Sequence, residues 1–375
     1  MHTSYWIWQQ ADWPAFIWQD EKLVPLLREI NLLQGQLLGC AESIQVSESL
    51  QSEINALLQN AINTSAIEGE QLNVDSVRSS LARRLGLEQA GLVPGTPQSE
   101  GLADLLLDAT RNPGLILTID RLFNWHKLLF PSGGGTLTPI NVGELRNEDT
   151  MQVVSGPIGR QTVHFEAPSR KGLEDELDIF LDWFNQSQVN VKLDPILRAG
   201  IAHLWFVTLH PFDDGNGRLA RAITDLALAQ AEQHSVRFYA MAATIMENRK
   251  DYYDILEKTQ RNGLDITSWL EWFLVMLKET MRVSVQRIKH VLQKARFWQQ
   301  HAQTVLSKRQ IKVLNRLLDV GPEGFEGGIN ARKYMSLTTV SKATATRDLT
   351  ELVEKGCLVQ RSGGGRSTGY DIQWP

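Results

Sequence analysis

Within twelve residues, His210-Pro211-Phe212-Asp213-Asp214-Gly215-Asn216-Gly217-Arg218-Leu219-Ala220-Arg221, the chain places an imidazole, carboxylates, two glycines and two arginines. This order suits holding a polyphosphate on a hard cation while a hydroxyl loses its proton beside it. His210 can accept the proton. The amides of Gly215-Asn216-Gly217 open a helix, where unpaired N–H groups and the macrodipole favour an anion. Arg218 and Arg221 stand at i and i+3 on that helix, and their forks match phosphate oxygens. The macrodipole disfavours cations there, so two arginines at that end imply an anion between them. Asp214 is a hard oxygen ligand placed for Mg2+.

The positioning elements are two apolar runs. Asp194 reads as an N-cap and Pro195 as the first residue of a helix. Ile196, Ala199, His203, Phe206 and His210 follow at spacings of three and four, one helical face that delivers His210 to the turn. Gly215 and Gly217 permit positive φ in the turn. The second helix runs from Leu219 to Ala229.

Singly, each part has an ordinary reading: a surface histidine, a turn, solvated arginines. Together they match HPFx[D/E]GNGRxxR at every fixed position, and the stretch resembles the Fic family. The resemblance implies a mainly α fold, a Fic-type helical core with a β-hairpin flap, and transfer of AMP from ATP to a Ser, Thr or Tyr hydroxyl of a protein. It implies His210 as base, Phe212 as core anchor, Asp214 on Mg2+, and Gly215, Asn216 and Gly217 around the α- and β-phosphates. Arg218 would hold the β-phosphate and Arg221 the γ-phosphate. A phosphorylating branch carries lysine at the place of Gly217, so glycine here points away from that branch.

Thr64-Ser65-Ala66-Ile67-Glu68-Gly69 ends a helix that begins near residue 48. By itself it is a helix with a glycine cap. Beside the motif it resembles the family's inhibitory sequence [S/T]xxxE[G/N]. Glu68 would then pair with Arg221 in place of a γ-phosphate, or, in a variant reading, orient a water that removes AMP. Glu247–Leu256 resembles a Tyr-Tyr stretch that the family often carries near adenine; Asn248 and Tyr252 stand at i and i+4, so one could bond the base and the other stack on it, with Tyr253 beside them. Core tyrosines are the alternative. Residues 142–168 alternate short β-rich runs with Gly and Pro and predict a hairpin, which the resemblance casts as the flap that pairs with an extended target. His164 in that hairpin is set aside as a second base.

The remaining chain sets the frame. Its 375 residues suggest two or three domains, and 42% hydrophobic with 22% charged residues describes an ordinary globular protein. Net charge −5 gives no overall nucleic-acid signal, and two cysteines, Cys40 and Cys357, fit a reducing cytoplasm. No apolar run reaches membrane length, Met1–Ser4 does not begin a signal peptide, and Pro131–Gly135 lacks the Lys-Ser/Thr of a phosphate loop. The expected domains are a Trp-rich helical module at 1–90, the core at 91–300 and a winged helix at 305–375. Leu23, Leu26, Leu27, Ile30, Leu33 and Leu37 stripe the first, and Gly91–Gln98 reads as a loop opening the second. The last carries eleven Lys or Arg against seven Asp or Glu, with Met335–Leu349 reading as short helix, turn and recognition helix and a wing tip at Ser362–Arg366. Expected partners are ATP and a protein target, the chain itself included, with DNA through the winged helix and no membrane. A DNA-binding regulator whose core senses nucleotide is the reading from another class. Fic proteins often form homodimers, which nothing in the sequence itself shows.

Overall fold

The computed structural model describes residues 6–42, 46–87, 93–131, 140–147, 150–157, 160–232, 238–321, 327–361 and 368–374. The wing tip, the glycine turn at 132–135, Gly91 and Leu92 of the expected loop, and the first residues fall outside these. The chain divides into two units, Met1–Leu37 with Val46–Ser284, and Leu38–Gln45 with Val285–Pro375. The mainly helical expectation holds, with fourteen α-helices and four short strands among the described residues.

The first unit opens with a short 3-10 turn, Ile7–Gln9, then α1 (Asp20–Glu42), α2 (Val46–Ile67), α3 (Val74–Arg84), α4 (Pro97–Arg111) and α5 (Ile119–Leu129). A hairpin follows, β1 (Gln152–Ser155) against β2 (Thr162–Glu166), antiparallel with a register shift at Val153/Val154. Then come α6 (Leu173–Ser187), α7 (Pro195–Leu209), α8 (Asn216–Glu232), α9 (Met241–Glu247), α10 (Arg249–Gln260) and α11 (Thr267–Gln300). Residues of α1 and α11 fall in both units.

α7 and α8 form the centre. Asp194 caps α7 by accepting from the Ile196 amide at 2.8 Å, with Pro195 next, as the sequence implies. The single-face expectation for α7 is too narrow: every residue from Ile196 to Leu209 is buried. A helix apolar all round is wrapped all round. α8 packs along it, α4 lies against α5 and α8, and α2 against α3 and α9. Gly200 lets α11 approach, since a Cβ there would meet Leu270 and Phe273 at 3.0 Å, and Trp269 donates to the Gly200 carbonyl at 2.8 Å.

The N-terminal tryptophans brace the hairpin. Trp6 meets Phe165 edge-on at 5.3 Å, and Trp8 Nε1 donates to the Glu166 carbonyl at 2.7 Å. The β2 strand is therefore tied to the body by side chains, which a two-stranded ribbon needs because it is marginal alone.

The second unit contains α12 (Lys308–Val320), α13 (Ala331–Thr338), α14 (Lys342–Glu354) and the antiparallel pair β3 (Leu358–Gln360) and β4 (Tyr370–Ile372). Val313, Leu317, Tyr334, Leu349 and Leu358 share its core. Thr339 ends α13 with φ 56°, and Ser341 caps α14.

Candidate active site

α7 ends on His210 in the left-handed region, φ 49° and ψ 55°. A non-glycine residue there stores roughly 1–3 kcal/mol, so its surroundings must fix it. Arg146 does so. It is fully buried, its Nε donates to the His210 carbonyl at 3.0 Å, and its amide donates to the Pro211 carbonyl at 3.0 Å. Phe212 is buried and stacks on His126 at 4.3 Å. His126 Nδ1 accepts from the Gly143 amide at 2.9 Å, so its proton sits on Nε2, which donates to the Asp214 carbonyl at 3.1 Å. The Asn216 side chain closes the loop, accepting from Phe212 N at 3.0 Å and donating to Phe212 O at 2.8 Å.

The two glycines differ. Gly215 has φ 81°, as expected. The expectation of positive φ at Gly217 is not met: α8 already begins at Asn216, so Gly217 is helical. Its missing Cβ serves another end, because a Cβ there would run into the Glu68 carboxylate.

At this helix start both arginines are occupied by carboxylates. Arg221 donates from Nη2 to Glu68 Oε1 at 2.7 Å and from Nε to Thr64 Oγ1 at 2.7 Å. Arg218 pairs through Nη1 with Glu70 Oε2 at 2.7 Å and lies over the Phe130 ring. The end of α2 brings both acids to one place. Gly69 turns the chain at φ 86°, and the Glu70 amide returns to the Ser65 carbonyl at 3.0 Å, a glycine C-cap. Arg221 Nη1 and Arg218 Nε are buried without a protein partner. Such orphaned donors are the groups a phosphate oxygen satisfies.

A cavity of about 480 Å³ connects these parts, with Glu68, Gly217, Asp214 and His210 in its wall beside hairpin residues Val153–Ser155 and His164, and Tyr253 and Glu257 of α10. Asp214 contributes a half-exposed carboxylate, and one of its oxygens accepts from the Gly215 amide at 2.6 Å. Arg218 and Arg221 stand behind Glu68 and Glu70 rather than on the wall. Of the three residues expected near adenine, Tyr253 lines the cavity and touches Glu68 Oε2 at 3.3 Å. Tyr252 reaches the wall, but its hydroxyl is buried against His203 at 2.9 Å. Asn248 is not brought in: its amide donates to the Thr244 carbonyl at 2.9 Å. Arg249 stands there instead, over the Tyr253 ring at 5.1 Å and donating to the Ile67 carbonyl at 2.6 Å.

His210 Nδ1 lies 3.2 Å from the Val207 carbonyl. A carbonyl only accepts, so the proton is on Nδ1 and Nε2 is the basic atom. Burial, aided by the Arg146 charge, pushes the His210 pKa down to about 4, so the ring is neutral near pH 7. Burial alone would raise Glu68, but the charge and hydrogen bond of Arg221, with the charge of Arg218, hold it below the usual carboxylate range. The site thus has a neutral imidazole, a carboxylate and a cationic pocket closed by internal anions.

Arg146, His126 and Glu70 were missed from sequence. A histidine among Leu122, Trp125 and Leu129 on the buried face of α5 was a readable sign. Arg146 gave no such sign, since it stands in sequence beside Glu144, Glu148 and Asp149 like an ordinary solvated arginine.

The family model "Fic/DOC family" matches residues 116–228, and "Domain of unknown function (DUF4172)" matches 6–87. Protein adenylyltransferase fic-1 of Caenorhabditis elegans is 29% identical over 200 residues, 51% of this chain and 34% of that protein. Protein adenylyltransferase Fic of Nematostella vectensis is 27% identical over 225 residues, 58% and 46%. A uridine 5'-monophosphate transferase of Xanthomonas campestris pv. campestris (strain 8004) is 35% identical over 119 residues, 31% and 21%. The chain therefore spans less than half the length of these relatives. A Fic family protein from Desulfovibrio desulfuricans G20 has the same fold at TM-score 0.53 and 19% identity, covering 94% of this chain and 95% of that one. With the motif loop and its arginines inside the matched segment, residues 116–228 of this chain are a Fic/DOC family domain.

Proposed function

We propose that the chain transfers AMP from ATP to a hydroxyl of a protein and is held off by Glu68. The neutral Nε2 of His210, in one cavity with the amide-rich start of α8, is the observation that carries this reading. His210 takes the hydroxyl proton as the oxygen attacks the α-phosphorus. The α8 amides and the two guanidinium groups stabilise the charge that develops. Asp214 is the carboxylate available to Mg2+, which usually takes one or two carboxylates plus substrate phosphates and neutralises their charge. Glu68 occupies the donor of Arg221 that a γ-phosphate would use, and the Arg221 side chain is itself buried, so its charge needs an anionic partner there.

The test is transfer of α-labelled ATP to proteins of a cell extract, resolved from the chain itself. Glu68→Gly should raise labelling by up to roughly two to three orders of magnitude. His210→Ala in that background should abolish it. Equal labelling by wild type and Glu68→Gly would remove the inhibitory role. Because one relative is named for UMP transfer, α-labelled UTP forms a second arm, and preference for it would reassign the nucleotide.

We propose the second unit as a winged helix that contacts duplex DNA. Lys342, Ala343, Thr346, Arg347 and Thr350 are exposed on α14, while its Asp348 is buried against Tyr334 at 2.9 Å. That leaves a cationic, acid-free surface on the first turns, suited to a major groove. Binding to duplex DNA should weaken steeply with salt, and Arg347→Ala should weaken it further; no binding at low salt would reject this role.

A further inference from the structure

The hairpin side of the cavity holds a second arrangement for proton transfer, distinct from the motif loop. Ser155 Oγ on β1 lies 2.6 Å from His164 Nε2 on β2. His164 Nδ1 lies 2.6 Å from Glu257 Oε2 on α10. The other Glu257 oxygen is 3.1 Å from Arg261, which also donates to the Val163 carbonyl at 2.6 Å. The proton positions follow from the partners. A carboxylate only accepts, so a neutral His164 carries its proton on Nδ1, and Nε2 must accept from the serine hydroxyl. The order is hydroxyl, imidazole, carboxylate, the arrangement that activates a serine oxygen. Ser155, His164 and Glu257 all line the cavity that His210 and Glu68 line.

We propose that Ser155 is itself an acceptor of AMP, with His164 as its dedicated base. This rests on the transfer reading above. Ser155 Oγ forms the new bond to the α-phosphorus, and the bond from that phosphorus to the β-phosphate bridging oxygen breaks. Pyrophosphate leaves with the bond's electron pair. The hydroxyl proton passes to His164 Nε2, and Glu257 stabilises the imidazolium through Nδ1–H. ATP is the only co-reactant. The product carries a nucleotide on the strand that borders the cavity, and the Oγ–H bond to His164 is gone.

The experiment uses the full chain with Glu68→Gly, Mg2+, α-labelled ATP and a cell extract, followed by peptide mass spectrometry. The Ser155 peptide should carry one AMP. Ser155→Ala should remove it, and Ser155→Thr should restore it at the same position. His164→Gln and Glu257→Gln should each lower the ratio of label on residue 155 to label on extract proteins, for His164→Gln by about 100-fold. A merely structural role would leave that ratio unchanged. An unmodified Ser155 alongside labelled extract proteins overturns this inference and leaves the transfer reading standing. No label on any protein overturns the transfer reading instead.

Discussion

At the scale of single residues, the neighbours of His210 suit it to the role proposed for it. Burial and Arg146 keep its pKa at about 4, well under the ordinary imidazole value of 6.5. A base should be unprotonated at working pH. The acid limb of kcat/KM for AMP transfer should therefore fall near pH 4; a limb near 6.5 would show that the ring is not held this way. Glu70 acts on the second arginine. Because its side chain is 45% exposed, its pair with Arg218 is of the weak kind, about 0–1 kcal/mol. Adding Glu70→Gln to Glu68→Gly should lower the KM for ATP by up to about fivefold, and a raised KM would show that Glu70 helps rather than competes. The motif residues were legible because their geometry is local: a helix end, a turn, a helix start. Glu70 was not, since its partner is 148 residues away and only the folded turn at Gly69 points it there. The turn of Asn248 to the Thr244 carbonyl was not legible for a related reason. A spacing of four says which residues share a face, not which way the face looks.

At the scale of elements, the C-terminal end of α2 sets where Glu68 stands. Glu68 follows the helix's last residue, Ile67, whose carbonyl is held by Arg249 and Tyr253 from α10. Gly69 has nothing within 4 Å of where a Cβ would stand, so Gly69→Ala changes only backbone preference at φ 86°. That substitution should destabilise the cap by about 1–2 kcal/mol. Basal transfer should rise by a smaller factor than in Glu68→Gly; unchanged transfer with a lowered Tm would uncouple the cap from inhibition. The hairpin was readable from β-branched runs flanked by Gly and Pro. Its anchoring by Trp6, Trp8 and Arg261 was not, because those contacts join segments far apart in sequence. α7 was readable as a helix, yet its burial on all sides depends on how many elements gather round it.

At the scale of the whole molecule, acid should weaken the first unit before it reaches the range of ordinary carboxylates. His203 is buried, bonded to Thr224 and Tyr252, and burial pushes its pKa down to about 3. Folding therefore favours its neutral form. The contribution is complete above pH 6.5, where the unfolded ring is also neutral, and drains as pH falls toward 3. The slope is about 1.4 kcal/mol per pH unit while the unfolded ring is charged and the folded one is not. His203→Gln should flatten the stability curve between pH 6 and 4 by about one proton, measured by urea unfolding, and an unaltered slope would place the acid sensitivity elsewhere. The central claim is that His210 performs the transfer and Glu68 restrains it. Labelling of extract proteins from α-labelled ATP tests both at once. Labelling should be faint with wild type, strong with Glu68→Gly and absent with Glu68→Gly, His210→Ala; strong labelling by the double variant would contradict both roles.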